Sequence, residues 1–420
     1  MSGLRVAYVS TDPGIDVLGT KGASVHVQAV VRSLLRRGAH VDLVTPRADG
    51  DAAPDLAAHP RVRVHRLPRA RKVRDTAARE AAARTSDAAV AGVLDDLHAA
   101  APLDLVHERY ALWGRTATAW AHAQAVPSVL EVNAPLPAEQ SAHRVLVGEA
   151  KAYAVARDAL SHAGAVFGVT DAVAGWARGL AADPGRVTTI GNGVDTRAVT
   201  PAATPVHDGG EAPFTLGFVG TLKAWHGVET LLEALALLVR DADVRLLVVG
   251  DGPRAQALRD LAERLGVAGA VRWTGAVPST AVAGLLQSVD VACAPYPALE
   301  DFYFSPLKVT EYLAAGLPVV ASAVGGLPAL LGHGTHGELV APDDPAALAA
   351  AVTALRTDPV RRAALRERNR EAALGRDWDH VAARTLAHAG VAVPPLAAPH
   401  PTAPHPIAGT TATEEDRRVA

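Results

Sequence analysis

The residues best placed to do chemistry sit in the stretch Pro295–Ser322, PYPALEDFYFSPLKVTEYLAAGLPVVAS. Ser305 as N-cap, Pro306 as first helical residue, and Gly316 with Pro318 as the stop predict a helix over Pro306–Ala315. Proline at that position gives up only an amide with no helical partner, so the amides of Leu307 and Lys308 are expected to point outward at the positive end of the helix dipole. That is an anion site, and a diphosphate fits it. Lys308 and Glu311 are three apart and share a face, which puts Glu311 one turn behind the phosphates, where a carboxylate accepts both hydroxyls of a ribose. The competing reading is a surface ion pair on an ordinary capped helix.

The elements that must position these groups alternate along the chain. In the first half, a strand over Leu4–Ser10 leads through a glycine-containing loop (11–22) into a helix over Ala23–Arg37 and a second strand over His40–Thr45. Further strands are expected at 62–66, 103–107, 128–132, 165–169 and 187–190, with helices near 77–99, 114–124, 138–162 and 171–181. The fold class is therefore α/β, a doubly wound parallel sheet, whose ligands gather beyond the carboxyl ends of the strands. The residues in those places are Asp12, Lys21, Gly22, Glu108, Arg109, Asn133, Asn192 and Asp195. The loop GTKGAS has neither the ending of a P-loop nor the spacing of a dinucleotide fingerprint.

A Pro/Gly-rich segment, TPAATPVHDGGEAP at 200–213, reads as a domain linker, and a second doubly wound domain follows. Its strands are expected at 215–219, 245–249, 271–274, 289–294 and 319–321, with helices near 228–239, 254–265, 279–287, 345–356 and 359–373 and a last helix in RDWDHVAARTLAHA. Every glycine-bearing loop here follows a strand and faces the same cleft. GTLKAWHG supplies Gly220, Thr221, Lys223 and His226, the last two as positive charge for a phosphate, and GDGP supplies Gly250, Asp251 and Gly252. Residues from 392 onward, rich in Pro, Ala and His, are expected to be disordered, and their histidines do not make a metal site.

Composition sets the bounds. A chain of 420 residues defaults to two domains, and 49% hydrophobic with 20% charged residues marks a globular protein. A net charge of -3 gives no general pull toward nucleic acid. The lone Cys293 excludes an internal disulfide and a cysteine zinc cluster. The N-terminus lacks a signal-peptide pattern, and no run approaches the roughly 20 apolar residues of a membrane span, so a cytoplasmic protein is expected. The basic run RVRVHRLPRARKVR, Arg61 to Arg74, is either a solvated strand edge or a patch for anionic lipid at the inner face of a membrane or for a polyanionic acceptor.

GFVGTLKAWHGVETLLEAL, VVGDGP, FYFSPLKVTEYLAAGLPVVAS and GELVAPDDPAAL, in that order, with IGNGVD and EVNAPL before them, resemble the retaining GT-B glycosyltransferases of family 4. The resemblance spans nearly the whole chain up to the last helix. It implies two Rossmann-like domains across a cleft: residues 1–200 for the acceptor, a linker at 201–213, 214–376 for a nucleotide-sugar donor, a helix at 377–391 crossing back, and a tail at 392–420. It identifies Glu311 with the family's ribose-binding glutamate; the helix start and the strand-end loops place Gly220, Thr221, His226, Gly250, Asp251, Gly252, Ser305 and Leu307 beside it as donor-binding residues and Asp12, Lys21, Gly22, Glu108 and Arg109 on the acceptor side. Asn133, Lys223 and Lys308 are the expected catalytic groups, acting without metal or cofactor on an acceptor glycan, lipid-linked sugar or small molecule, with closure about the linker excluding water. The chain departs from the family pattern where Tyr303 stands eight positions before Glu311 in place of a sugar-binding glutamate, leaving Asp301 or the amides around Phe304 to orient the sugar. Thr221 and His226 stand where the family's diphosphate-binding Arg and Lys would be, with Lys223 close enough to compensate, and Asn133 replaces a histidine. A sugar-nucleotide epimerase on the same fold and a non-catalytic sugar-nucleotide-binding subunit are the alternatives.

Overall fold

Short valine-rich runs separated by helices form two all-parallel sheets. The computed structural model describes residues 3–69, 75–203, 213–299, 302–303 and 305–397. In the first sheet β1 (Arg5–Ser10), β2 (His40–Thr45), β3 (Val62–Arg66), β4 (Leu105–Arg109), β5 (Ser128–Val132), β6 (Ala165–Gly168) and β7 (Val187–Thr189) lie in the order β3-β2-β1-β4-β5-β6-β7. In the second, β8 (Phe214–Val219), β9 (Val244–Val249), β10 (Val271–Trp273), β11 (Val291–Ala294), β12 (Val319–Ser322) and β13 (Gly337–Val340) lie in the order β10-β9-β8-β11-β12-β13. The strand order reverses beside β1 and beside β8, and a doubly wound sheet opens a crevice at each such point.

The helices of the first half are α1 (Gly22–Arg36), α2 (Pro54–Ala57), α3 (Thr76–Ala88), α4 (Val90–Ala100), α5 (Thr116–Ala123), α6 (Leu136–His143), α7 (Glu149–His162) and α8 (Asp171–Leu180). The second half adds α9 (Val228–Leu238), α10 (Ala255–Arg264), α11 (Ser279–Leu286), α12 (Leu307–Ala314), α13 (Leu327–Leu330), α14 (Pro345–Thr357), α15 (Pro359–Leu374) and α16 (Trp378–His388). Side chains of a strand alternate between faces, and both faces are covered here. Val6, Tyr8, Leu105, Val129 and Phe167 meet Val27, Val31 and Leu34 of α1 and Leu386 of α16. Ala7, Val9 and Val106 meet Leu94, Ala117 and Trp120 of α4 and α5 on the other face.

The chain returns from the second sheet to the first through a backbone clasp. Val194 donates to the Arg376 carbonyl at 3.0 Å and Trp378 donates to that of Val194 at 3.2 Å. Gly193 has to be glycine because a Cβ there would lie 2.8 Å from the Trp378 ring. Asp377 accepts from the Thr196 amide at 3.1 Å, and Asp379 holds Arg36 at 2.7 Å and Arg197 at 2.6 Å, which presses α16 onto α1.

Several expectations need correction. The stretch 77–99 is two helices meeting at Ala89, and 138–162 is two helices separated by residues 144–148, where the Val147 amide is drawn to Glu80 at 2.8 Å. The short helix α2 and the strand β13 carry no signal strong enough to be expected. Chain disorder does not begin at 392: Ala397 donates to the Arg36 carbonyl at 2.7 Å, and Arg37 donates to that of Pro394 at 2.7 Å, so these residues cap the exposed carbonyl end of α1. The rest of the tail, 398–420, and most of the linker, 204–212, lie outside the described residues.

Candidate active site

In the second domain α12 begins one residue later than its sequence suggests. Pro306 is the N-cap, and no side chain caps the helix, so Ser305 does not serve in that role. The Leu307 amide is also not free, since it donates to the Ser305 carbonyl at 2.9 Å. The helix is fixed against β8 by Tyr312, whose hydroxyl accepts from the Val219 amide at 2.8 Å.

Lys308, on the first turn, is buried, and its Nζ lies 4.1 Å above the Phe218 ring and 5.1 Å from that of Tyr296. Nζ rests against Gly220, where a Cβ would approach it to 2.9 Å, and it has no hydrogen-bond partner among the described residues. Burial pushes the Lys308 ammonium down to about 7, with the Glu311 charge opposing. Burial likewise raises the half-buried Glu311 to about 7, with Lys308 opposing. The pair is therefore not a surface ion pair. It is a buried amine and a carboxyl one turn apart, at the carboxyl end of β8.

The loops after β8 and β9 touch backbone to backbone, which accounts for their glycines. Gly250 has φ 140°, and a Cβ on it would lie 2.0 Å from the Gly220 carbonyl oxygen, while one on Gly252 would lie 2.5 Å from that of Leu222. Leu222 donates to the Asp251 carbonyl at 3.0 Å, and the Asp251 carboxylate accepts from the Gly252 amide at 2.7 Å. His226 is not a cation. Burial, and then Lys308, lower it to about 4, and the carbonyl of the exposed Thr221 can only accept from its Nδ1–H. The neutral ring leaves Nε2 as an acceptor. Lys223 turns its Nζ over the Trp225 face at 4.5 Å.

In the first domain neighbouring residues of β4 face opposite ways. Glu108 is fully buried, and its carboxyl accepts from the Thr118 amide at 3.1 Å inside the N-terminus of α5. Burial, reinforced by Asp87, raises it to about 8. It is a helix-capping acid and not a cleft residue. Arg109, opposite Glu131 in the register, donates to that carboxylate at 2.8 Å. Glu131, which sequence reasoning missed, also accepts from the Asn133 Nδ2 at 2.7 Å and from His107 Nε2 at 2.9 Å, while His26 Nε2 lies 2.6 Å from it without hydrogen-bond geometry. Burial alone would raise its pKa, but His26, His107 and Arg109 overcome that and hold it well below the usual carboxylate range. The signal in the sequence is a carboxylate set among valines in SVLEV.

Among the other expected acceptor-side residues, Asp12 closes its own turn through the Gly14 amide at 2.7 Å, and the exposed Lys21 and Gly22 open α1. Tyr303 is half-buried against the first domain, packing on the cluster of Tyr110, Leu130 and Val132, and its carbonyl accepts from Thr170 Oγ1 at 3.0 Å. Asp301 and Phe304 lie outside the described residues. In the basic run Arg66 and Arg69 both pair with Asp49 at 2.8 Å, and residues 70–74 lie outside the description. Among the described residues no helix is long and apolar enough to cross a membrane.

Two Rossmann-like domains, each a doubly wound parallel sheet, are the architecture of the GT-B glycosyltransferases. The profile of the glycosyl transferases group 1 matches residues 213–358, and that of the glycosyl transferase 4-like domain matches residues 21–193. The chain is 30% identical to a D-inositol 3-phosphate glycosyltransferase of Actinosynnema mirum over 92% of its own length and 97% of the relative. A protein of the same name from Corynebacterium urealyticum is 36% identical over a match that spans 40% of each chain. The crystal structure of Anabaena HepE in complex with UDP superposes with a TM-score of 0.68 at 21% identity, covering 92% of this chain and 99% of that one. The chain belongs to the group 1, family 4 glycosyltransferases.

Proposed function

We propose that this protein moves a sugar from a nucleoside diphosphate sugar, held on the second domain, to an acceptor hydroxyl presented by the first, with retention of the anomeric configuration. The observation that carries the reading is Lys308: a buried amine without a hydrogen-bond partner among the described residues, pressed against Gly220, with Glu311 one turn behind it. A diphosphate at this place supplies the counter-charge that the ammonium lacks, and the ribose hydroxyls supply donors to Glu311. As the anomeric carbon–oxygen bond breaks, the electron pair leaves with the phosphate, and Lys308 meets the growing charge in a site shielded from water. Neutral His226 offers Nε2 to a ligand hydroxyl, so the cationic work falls on Lys308, and on Lys223 if it leaves Trp225. The names of the relatives make an inositol phosphate the first acceptor to try, beside glycans and lipid-linked sugars.

One observation favours a donor-binding protein without turnover. Tyr303 stands where the family resemblance places a sugar-binding glutamate and is turned into the wall of the first domain. Calorimetry with UDP-glucose, UDP-N-acetylglucosamine and GDP-mannose tests the donor site directly: one of them binds the wild type, and Glu311→Ala weakens it about tenfold or more, the value of a charged hydrogen bond. Unaltered affinity in that variant would defeat the ribose assignment.

A further inference from the structure

The chemistry assigned so far leaves the buried Glu131 carboxylate without a task. Three donors reach it, His107 and Arg109 from β4 and Asn133 from the loop that follows its own strand, and the His26 ring of α1 lies against it. Oε1 accepts from Arg109 and Asn133, with His26 Nε2 at 2.6 Å, and Oε2 accepts from His107. The carboxylate lines a small cavity whose walls are mostly apolar, among them Leu105, Phe167, Ile190 and Trp378.

An ionised carboxylate only accepts. The Asn133 amide is therefore held with its NH2 toward Glu131, and Oδ1, which has no partner among the described residues, is the end left for a ligand. Arg109 is committed to the same carboxylate, so its charge is already matched. We infer that Glu131 is a positioning residue, one that locks Asn133 so that its side-chain oxygen accepts a hydrogen bond from a hydroxyl of the transferred sugar. The inference rests on the donor-binding reading given above. It makes this wall of the sugar site an acceptor of fixed polarity, which selects for a hydroxyl there over an ether or keto oxygen.

The test uses the full chain and has one arm that needs no donor. In 15N spectra the Asn133 side-chain amide, assigned through Asn133→Ala, shows a downfield, slowly exchanging proton in the wild type that moves upfield and exchanges faster in Glu131→Gln, whose Oε1 is only a neutral acceptor. An unchanged signal overturns the inference. In the second arm UDP-glucose, UDP-N-acetylglucosamine and GDP-mannose are each titrated against their bare nucleoside diphosphates. For the one that binds best, Glu131→Gln and Asn133→Ala each lower the preference for the sugar-bearing form about tenfold, leave the bare diphosphate within twofold, and together cost no more than either alone. Asn133→Asp keeps shape and oxygen at a half-buried position but removes the donor to Glu131 and sets a second carboxylate against it, so it breaks the lock where Glu131→Gln fails to fold; it loses the same preference, and wild-type preference in Asn133→Asp refutes the coupling. Failure of every donor to bind the wild type would sink the donor-site reading, and the spectra would then decide the Glu131–Asn133 lock by themselves.

Discussion

The proposed donor site makes nucleotide-sugar affinity depend on pH in a specific way. Lys308, lowered by burial to about 7, loses its charge as pH rises through that value, and Glu311, raised by burial to about 7, loses its charge as pH falls through it. Binding needs the ammonium for the diphosphate and the carboxylate for the ribose together. With both groups near 7, that form is about a quarter of the molecules at pH 7 and about a twelfth at pH 6 or pH 8. Affinity for the sugar diphosphate, which does not itself ionise over that interval, is accordingly highest near neutrality and about threefold weaker one unit to either side. The assay is calorimetry in constant ionic strength at three pH values. Glu311→Gln keeps only the alkaline limb, moved to lower pH because the carboxylate no longer supports the ammonium. Lys308→Met keeps only the acidic limb. A wild-type affinity that stays flat from pH 6 to 8 would refute the claim that the two groups form one site.

Other consequences follow from the same geometry. Lys308→Met replaces a buried amine by a chain of matching length against Phe218 and Tyr296, so melting temperature holds or rises while donor turnover falls on the order of a hundredfold, checked by calorimetry and steady-state rates. Gly250→Ala drives a methyl into the Gly220 carbonyl at an unfavourable φ and costs about 2 kcal/mol or more, read as a lower urea midpoint. Glu108 holds its proton in the folded state up to about pH 8 but not in the unfolded chain, so wild-type stability falls between about pH 5 and 8 with a slope of up to about 1.4 kcal/mol per unit from this group alone. Glu108→Gln removes that slope, and its melting temperature exceeds the wild type's by more at pH 8 than at pH 5.5.

The parallel two-sheet architecture was legible because most strands are short apolar, β-branched runs ending near a Gly, Pro or Asn, with β13 the exception. Lys308 and Glu311 were legible as a pair because helical spacing alone puts them on one face. Burial was not, because it depends on Phe218 and Tyr296 arriving from β8 and from the loop after β11. Glu108 and Arg109 looked equivalent at the end of β4, and only strand alternation against α5 on one side and β5 on the other separates the helix cap from the charged pair. Glu131 escaped because its partners are scattered from residue 26 to residue 133 and meet only when α1 is laid across β4 and β5. Alanine-rich composition hid the breaks at Ala89 and after His143, where the helical pattern continues in sequence while the chain turns.

The most direct test of the central claim is release of nucleoside diphosphate from UDP-glucose, UDP-N-acetylglucosamine and GDP-mannose, with and without inositol phosphate, glycan and lipid-linked acceptors, with the anomeric proton of any product followed by NMR. A transferase centred on Lys308 and Glu311 releases the diphosphate from one donor in step with a product of unchanged anomeric configuration, and loses that release in Lys308→Met. Tight binding of a donor with no diphosphate released under any condition would contradict it.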